Sequence, residues 1–278
     1  MRAILVYCEG NHDIVYVTRS LGVAGARWLG EPISKLPSPF GPLPDPRNPR
    51  NPKVHSIISR HYAARSLDDL HLVAAAHAPP PVFEAMLEDD GTLYVLIRCH
   101  GDSAALASAT LTRDIATQLP FGVTVREIAA AFLFDADDAG LASRESRFKD
   151  NYADLLNGAS PSHAGWVTGP VCPVGLYVFH DPVTGKGTLE EILAPMVDAE
   201  WPTRWSQAGT YLSSNRDPDD PVTTDRTEAL KAQICITGQF RFAGDPMTQV
   251  LRKEGLPRNH FSGAESQSLV QFLRNVPW

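Results

Sequence analysis

Acidic side chains follow apolar segments of the sequence at points where buried strands are expected to end. Glu9 follows "LVYC", Asp135 and Asp137 lie at the end of "IAAAFLFDADD", and Asp181 ends "VGLYVFHD". Carboxylates held about 4 Å apart repel one another by roughly 1 to 4 kcal/mol, depending on the local dielectric. Clustered acids therefore either keep protons or bind a divalent cation, and ligands that are all oxygen favour Mg²⁺ or Mn²⁺ over zinc.

The spacing of Asp135 and Asp137 predicts that both carboxylates face one point, because side chains two residues apart on an extended backbone lie on the same side. A DxD alone has other interpretations. It can cap a following helix, and it also occurs in nucleotide-sugar transferases and in phosphatases with an aspartyl nucleophile. The phosphatase pattern usually continues with Gly and Thr, whereas Asp138 and Ala139 follow here. The pairing of DxD with "CEGNHD" after the first apolar strand favours a metal site.

Strand-like and helix-like segments alternate along most of the chain. The predicted strands are 92–99, 128–138 and 174–181, and the predicted helices are 103–119, 143–158 and 187–201. This order predicts an α/β fold with a mainly parallel central sheet that helices flank on both faces. Ligand sites of such sheets lie at the carboxyl ends of the strands, which is where the acids fall.

We expect one domain over residues 1–278, interrupted by an insertion over residues 30–91. The first part of that insertion, "GEPISKLPSPFGPLPDPRNPRNPK", contains eight prolines, so no helix or central strand can run through it. Apolar spacing in "LDDLHLVAAAHA" and "PPPVFEAMLEDDG" predicts one or two short helices between Val54 and Asp90.

Composition limits the class of protein. The formal net charge of −7 argues against a basic surface for nonspecific duplex binding. There is no apolar run near 18 residues and no leader-like amino terminus, so the expected location is the cytoplasm, without a membrane partner. The cysteines are far apart and predict neither a zinc pattern nor disulfides; they are Cys8, Cys99, Cys172 and Cys235.

Several ordered motifs resemble one superfamily. "VYCEGNHDIVYV" and "FLFDADD" are similar to the glutamate and DxD motifs of the TOPRIM domain of topoisomerases, DnaG-type primases and OLD-family nucleases. With "VGLYVFHDPVTGKGTLEEIL", "ALKAQICITGQFR" and "LVQFLRNV", the chain most closely resembles a small bacterial TOPRIM-like family of uncharacterised function. The match covers residues 1–29 and about 92–278 and leaves the proline-rich insertion outside.

The resemblance implies a TOPRIM-like fold and phosphodiester chemistry that depends on Mg²⁺ or Mn²⁺. Glu9 takes the place of the TOPRIM glutamate, and Asp135 and Asp137 take that of the DxD pair; all three are predicted metal ligands and catalytic residues. Glu9 could instead act as a general acid or base. Whether one or two metal ions bind stays open.

Other matched positions are predicted to assist. Asp13 matches the last acid of an EGxxD pattern, Asp181 the aspartate of a PD(N) pattern, and Glu190 an acid of a Gly-Leu-Glu-Asp helix, so these are further candidate metal ligands. Lys231 matches a Lys-Ala segment and is a candidate to stabilise charge on the scissile phosphate.

Structural roles compete with these assignments. Asp13 and Glu190 are expected in first turns of helices, where acids offset the macrodipole. Lys231 can pair with Glu228 three residues earlier on a helix surface. His12 is interpreted as a structural histidine.

The third strand end departs from the family pattern. His180 replaces a proline, Pro182 an asparagine and Glu191 an aspartate, which weakens the assignment of Asp181. His180 is also interpreted as structural.

Two functions follow from the resemblance. The first is a metal-dependent nuclease acting on DNA or RNA in bacterial defence or repair, with a separate ATPase partner by analogy with OLD-type nucleases. The alternative is a noncatalytic TOPRIM-fold module that binds a nucleotide or a protein. A nucleotide-sugar transferase is a distant third, and it predicts that Glu9 lies far from the DxD pair. Oligomeric state is not predicted.

Overall fold

A computed structural model of the chain describes residues 1–28, 83–99, 105–118, 125–215, 225–239, 250–252 and 255–278, together with Asp217 and Asp219. The proline-rich loop and the helices predicted before residue 83 lie outside these ranges.

The described strands form one seven-stranded sheet in the order β2-β3-β4-β1-β5-β7-β6. Its strands are β1 (Arg2–Cys8), β2 (Arg27–Trp28), β3 (Phe83–Leu87), β4 (Thr92–Arg98), β5 (Glu127–Asp135), β6 (Gly165–Thr168) and β7 (Pro173–Phe179). The four central strands, β4-β1-β5-β7, are parallel, and the outer strands pair antiparallel with their neighbours. The predicted mainly parallel sheet is confirmed.

Helices cover both faces of the sheet. They are α1 (Asn11–Val23), α2 (Ala105–Gln118), α3 (Leu141–Asn151), α4 (Leu189–Glu200), α5 (Pro202–Ser214), α6 (Arg226–Gln239) and α7 (Ala264–Arg274), with short 3₁₀ turns at Ala153–Leu155 and Arg258–Ser262. The helices predicted from 103, 143 and 187 are therefore confirmed, although α3 ends seven residues before Gly158. None of the described helices is long and apolar enough to cross a bilayer.

Strand β1 shows why the central strands are apolar throughout. Ala3, Leu5 and Tyr7 pack on one face of the sheet with residues of α2 and α3. Alternate residues, from Ile4 to Cys8, pack on the other face with residues of α1, α4, α6 and α7. Full burial of one large apolar side chain contributes roughly 1.5 to 3 kcal/mol, so the two-sided core holds the strand ends in fixed positions. All four cysteines are free, and Cys8, Cys99 and Cys172 are buried.

One prediction is wrong. Residues 83–87, expected to be helical, form strand β3, which pairs antiparallel with β4. Four residues, 88–91, join the two strands, with Gly91 at a φ of 85° and Asp90 accepting a hydrogen bond from the Thr92 N–H at 2.8 Å. Two apolar segments on either side of "DDG" are typical of a hairpin, and that signal outweighs the helical spacing. The predicted insertion therefore contributes a strand to the sheet.

Candidate acidic site at the carboxyl edge of the sheet

Strands β1 and β5 bring the first two predicted acids together. The strands are parallel neighbours, with Cys8 opposite Leu133, so both end at the same edge. The main-chain N–H of Asp135 donates to Glu9 Oε2 at 3.3 Å. The predicted proximity of Glu9 to the end of β5 is confirmed. The nucleotide-sugar transferase hypothesis predicts instead that Glu9 lies far from the DxD pair.

Asp13 lies beneath this edge, in the first turn of α1. Its Oδ2 accepts a hydrogen bond of 2.7 Å from the Gly10 N–H, and the residue is only 4% exposed. Burial raises the pKa of the Asp13 carboxyl to about 7, partly offset by the Gly10 hydrogen bond and assisted by the negative charges of Glu9 and Glu190. Asp13 thus caps the helix and also belongs to a set of mutually repelling acids.

Asp135 is the last residue of β5 and contacts the start of α4. Its Oδ1 accepts a hydrogen bond of 2.9 Å from the Leu189 N–H, the first amide of that helix. Burial raises the pKa of Asp135 well above its usual value, and the charges of Asp13, Glu190 and Glu9 raise it further. We refer to Glu9, Asp13, Asp135 and Glu190 as the carboxylate cluster.

Glu190 interacts with a histidine and a lysine beside the cluster. It is 3% exposed, and its Oε1 lies 3.3 Å from His12 Nδ1. Burial raises the pKa of Glu190, but the hydrogen bond with His12 and the charge of Lys231 outweigh that effect, so the pKa is lowered overall. His12, interpreted as structural, therefore contacts the cluster directly.

Lys231 on α6 forms the predicted pair with Glu228 and also interacts electrostatically with the carboxylate cluster. Its Nζ lies 3.0 Å from Glu228 Oε1, as expected of a helix-surface pair. Burial lowers the pKa of Lys231, but the hydrogen bond to Glu228 and the charges of Glu190 and Asp135 raise it overall. The lysine thus brings a positive charge close to the carboxylate cluster.

Asp137 does not join the cluster. Strand β5 ends at Asp135, and Asp137 has a φ of 52°, so the extended backbone behind the predicted convergence is absent. Its Oδ2 instead accepts a hydrogen bond of 2.6 Å from Arg144 Nη2 on α3. The prediction that both carboxylates of the DxD face one point is wrong for this structure, and Arg144 is the residue that sequence reasoning missed.

Asp181, also a predicted ligand, makes its hydrogen bonds within the turn after β7. Its Oδ1 accepts hydrogen bonds from the N–H groups of Val183 and Thr184, at 2.7 and 3.2 Å, and so stabilises the turn after β7. His180 Nδ1 lies 2.8 Å from the Val178 carbonyl oxygen, which agrees with its structural interpretation. The departures from the family pattern at this strand end, which weaken the assignment of Asp181 as a metal ligand, are consistent with a turn-forming role for Asp181.

Within the described ranges, no group of three or more His, Cys, Asp or Glu side chains is already arranged to hold a metal ion. The chemistry of the cluster nevertheless fits a hard divalent cation, because its acidic donors are all carboxylate oxygens. Two of the four carboxyls, Asp13 and Asp135, have raised pKa values that a nearby cation would lower. Metal binding would require these side chains to reorient.

Comparisons with known proteins identify the fold alone. No family model matches the chain, and no curated protein matches it. Among solved structures, a hypothetical protein from Pyrococcus horikoshii OT3 superposes with a TM-score of 0.50 at 15% sequence identity, over 99% of this chain and 95% of that one. The similarity supports a shared α/β architecture.

Proposed function

We propose that this chain is a TOPRIM-like enzyme that cleaves phosphodiester bonds of nucleic acid with the help of Mg²⁺ or Mn²⁺. The observation that carries the proposal is the convergence of Glu9 and Asp135, from two neighbouring parallel strands, with the buried Asp13 and Glu190. Burial and neighbouring charges raise the pKa values of Asp13 and Asp135 at the carboxyl edge of the sheet, and a divalent cation bound there would favour their ionised forms.

Glu9 and Asp135 are the residues that would hold the metal, with Asp13 and Glu190 behind them. A bound Mg²⁺ would supply neutralisation of phosphate oxygens and stabilisation of the leaving oxyanion. The Leu189 and Gly10 amides already orient the Asp135 and Asp13 carboxylates through hydrogen bonds. Two helix starts thus hold the Asp135 and Asp13 carboxylates in the metal-free protein, and a bound cation would reorient them.

A lysine and a histidine beside the cluster suit a phosphate substrate. Lys231 carries a charge that Glu190 and Asp135 attract, and His12 lies on Glu190. These groups can bind phosphate locally, although the whole chain has a formal net charge of −7. A cytoplasmic role in bacterial defence or repair, with an ATPase partner, belongs to the same proposal and rests on the resemblance to OLD-type nucleases.

The test is a cleavage assay on plasmid, single-stranded DNA and RNA with Mg²⁺ or Mn²⁺. We expect Glu9→Gln and Asp135→Asn to lose cleavage, because each removes a proposed ligand and keeps the size of the side chain. Asp198→Asn is the matched control, since Asp198 is exposed on α4. Equal cleavage by the parent and Asp135→Asn would refute the site.

A noncatalytic binding module is the second candidate, and the Arg144–Asp137 ion pair favours it. That contact of 2.6 Å removes one predicted ligand from the cluster. If the chain is a binding module, calorimetry should detect metal binding to the parent protein, and the parent should cleave no nucleic acid. Metal-dependent cleavage that requires Glu9 excludes it.

A further inference from the structure

We infer that Arg144 is a positioning residue for Asp135 and that Asp137 serves as its counter-ion, not as a metal ligand. The inference deepens the proposed function, on which it rests, by dividing the DxD pair into two roles. Asp135 would bind the cation, and Asp137 would hold the arginine that fixes Asp135.

The first step is the burial of Arg144. The residue is 3% exposed although it carries a permanent charge. Its Nη2 donates to Asp137 Oδ2 at 2.6 Å, and its guanidinium carbon lies 5.5 Å from the centre of the Phe134 ring. A buried charge needs a charged or strongly polar partner, and Asp137 supplies one to Arg144 whether or not a metal binds.

The second step is the contact between Arg144 and the main chain of Asp135. Arg144 Nε donates to the Asp135 carbonyl oxygen at 2.7 Å. Asp135 also donates its main-chain N–H to the Glu9 carboxylate, and its own carboxylate accepts a hydrogen bond from the Leu189 N–H. Arg144 therefore acts on a residue that contacts both the end of β1 and the start of α4.

The third step is the fixed backbone of Asp137. Its N–H and carbonyl oxygen both pair with Gly187, at 2.9 and 3.0 Å. This pairing holds Asp137 in the left-handed region, at a φ of 52°, and places its side chain beside Arg144. The loop before α4 and the loop after β5 are thus joined at the counter-ion.

Amide hydrogen exchange of the metal-free protein tests the inference by NMR. The variants are Arg144→Gln and Asp137→Asn, with Arg144→Lys as a milder change if Arg144→Gln does not fold. We expect the Leu189 amide to exchange about tenfold faster or more in both variants, relative to amides in the middle of β1, because the Asp135 carboxylate loses its fixed position. Arg147→Gln, an exposed arginine on the same helix, should leave the ratio unchanged. An unchanged ratio in both test variants would overturn the positioning role.

Calorimetry with Mn²⁺ separates this inference from the proposed function. We expect Asp137→Asn to weaken binding by no more than Arg144→Gln does, whereas Asp135→Asn abolishes it. Loss of binding in Asp137→Asn alone, with near-parent binding in Arg144→Gln, would make Asp137 a ligand and overturn the inference. A parent that binds no metal would remove the proposed function, whereas the exchange ratios would still decide the role of Arg144.

Discussion

The Leu189 main-chain N–H donates a hydrogen bond of 2.9 Å to the Asp135 carboxylate. This contact joins the last residue of β5 to the first residue of α4 and uses one of the two carboxylate oxygens. Because the helix start favours a negative charge, the contact partly offsets the burial that raises the pKa of Asp135.

Asp135→Asn is expected to raise the stability of the metal-free protein and to abolish metal binding. The amide side chain can still accept the Leu189 hydrogen bond, but it removes a buried charge that Asp13, Glu190 and Glu9 oppose. Without metal, the variant should therefore unfold at a higher temperature than the parent at pH 8. Saturating Mg²⁺ should raise the unfolding temperature of the parent by roughly 4 to 8 °C and that of the variant by none. A Mg²⁺-induced shift in Asp135→Asn equal to that of the parent contradicts the assignment.

Asp13 should make the metal-free protein less stable as the pH rises. Its pKa is 3.8 as an ordinary carboxyl and about 7 in the folded chain, so between these values only the unfolded state ionises. Stability is therefore fully present below pH 3.8 and is lost as the pH rises through about 7, by roughly 2 to 4 kcal/mol. Urea unfolding with a chelator at pH 5 and pH 8 measures the loss.

The variant Asp13→Asn isolates this effect. The asparagine oxygen can still accept the Gly10 N–H, but it does not titrate, so the difference in stability between pH 5 and pH 8 should shrink. Asp198→Asn, at an exposed position of α4, should retain the difference of the parent. An Asp13→Asn protein with the same pH dependence as the parent would show that the pKa of Asp13 is not raised.

The central sheet could be predicted from the sequence because each parallel strand is a continuous apolar segment. Strands β1, β5 and β7 are buried on both faces, and this burial needs no knowledge of distant residues. The proximity of Glu9 and Asp135 follows from parallel order alone. Strand β3 is harder to predict, because its segment combines helical apolar spacing with an Asp-Gly turn, and the turn determines the structure.

The orientation of individual acids could not be predicted in the same way. Asp137 turns towards Arg144 because of a positive φ and a partner on a helix, and neither is visible in the DxD motif. Asp181 turns to its own loop, whereas Glu190, nine residues later, is buried in the cluster. The direction in which each acidic side chain points depends on tertiary packing, which the local spacing of residues does not encode.

Lys231→Gln should affect metal binding and cleavage in opposite directions. The Lys231 charge is attracted by Glu190 and Asp135, so it competes with a cation for the cluster. Its side chain is 37% exposed, and solvent screening limits the gain in Mn²⁺ affinity to roughly threefold. Cleavage should fall about tenfold or more, because the phosphate loses a stabilising charge.

The matched control for Lys231 is Lys149→Gln, an exposed lysine on α3, which should change neither property. Calorimetry gives the affinity, and initial rates at saturating Mn²⁺ give the cleavage. Weaker Mn²⁺ binding in Lys231→Gln would mean that the lysine supports the metal site and does not compete with it.

Gly187→Ala should cost more stability than Gly158→Ala, although both glycines have positive φ, 98° and 80°. An added Cβ at Gly187 would lie 1.3 Å from Glu191 Oε2, whereas nothing lies within 4 Å at Gly158. Arg226 Nε holds the same Glu191 carboxylate at 2.7 Å, so moving it away breaks an ion pair. We expect about 1 kcal/mol of backbone strain at Gly158 and about 2 kcal/mol more at Gly187, measured by urea unfolding. Equal costs would mean that the Glu191 side chain moves freely, and the loop before α4 would then not be held as tightly as its contacts indicate.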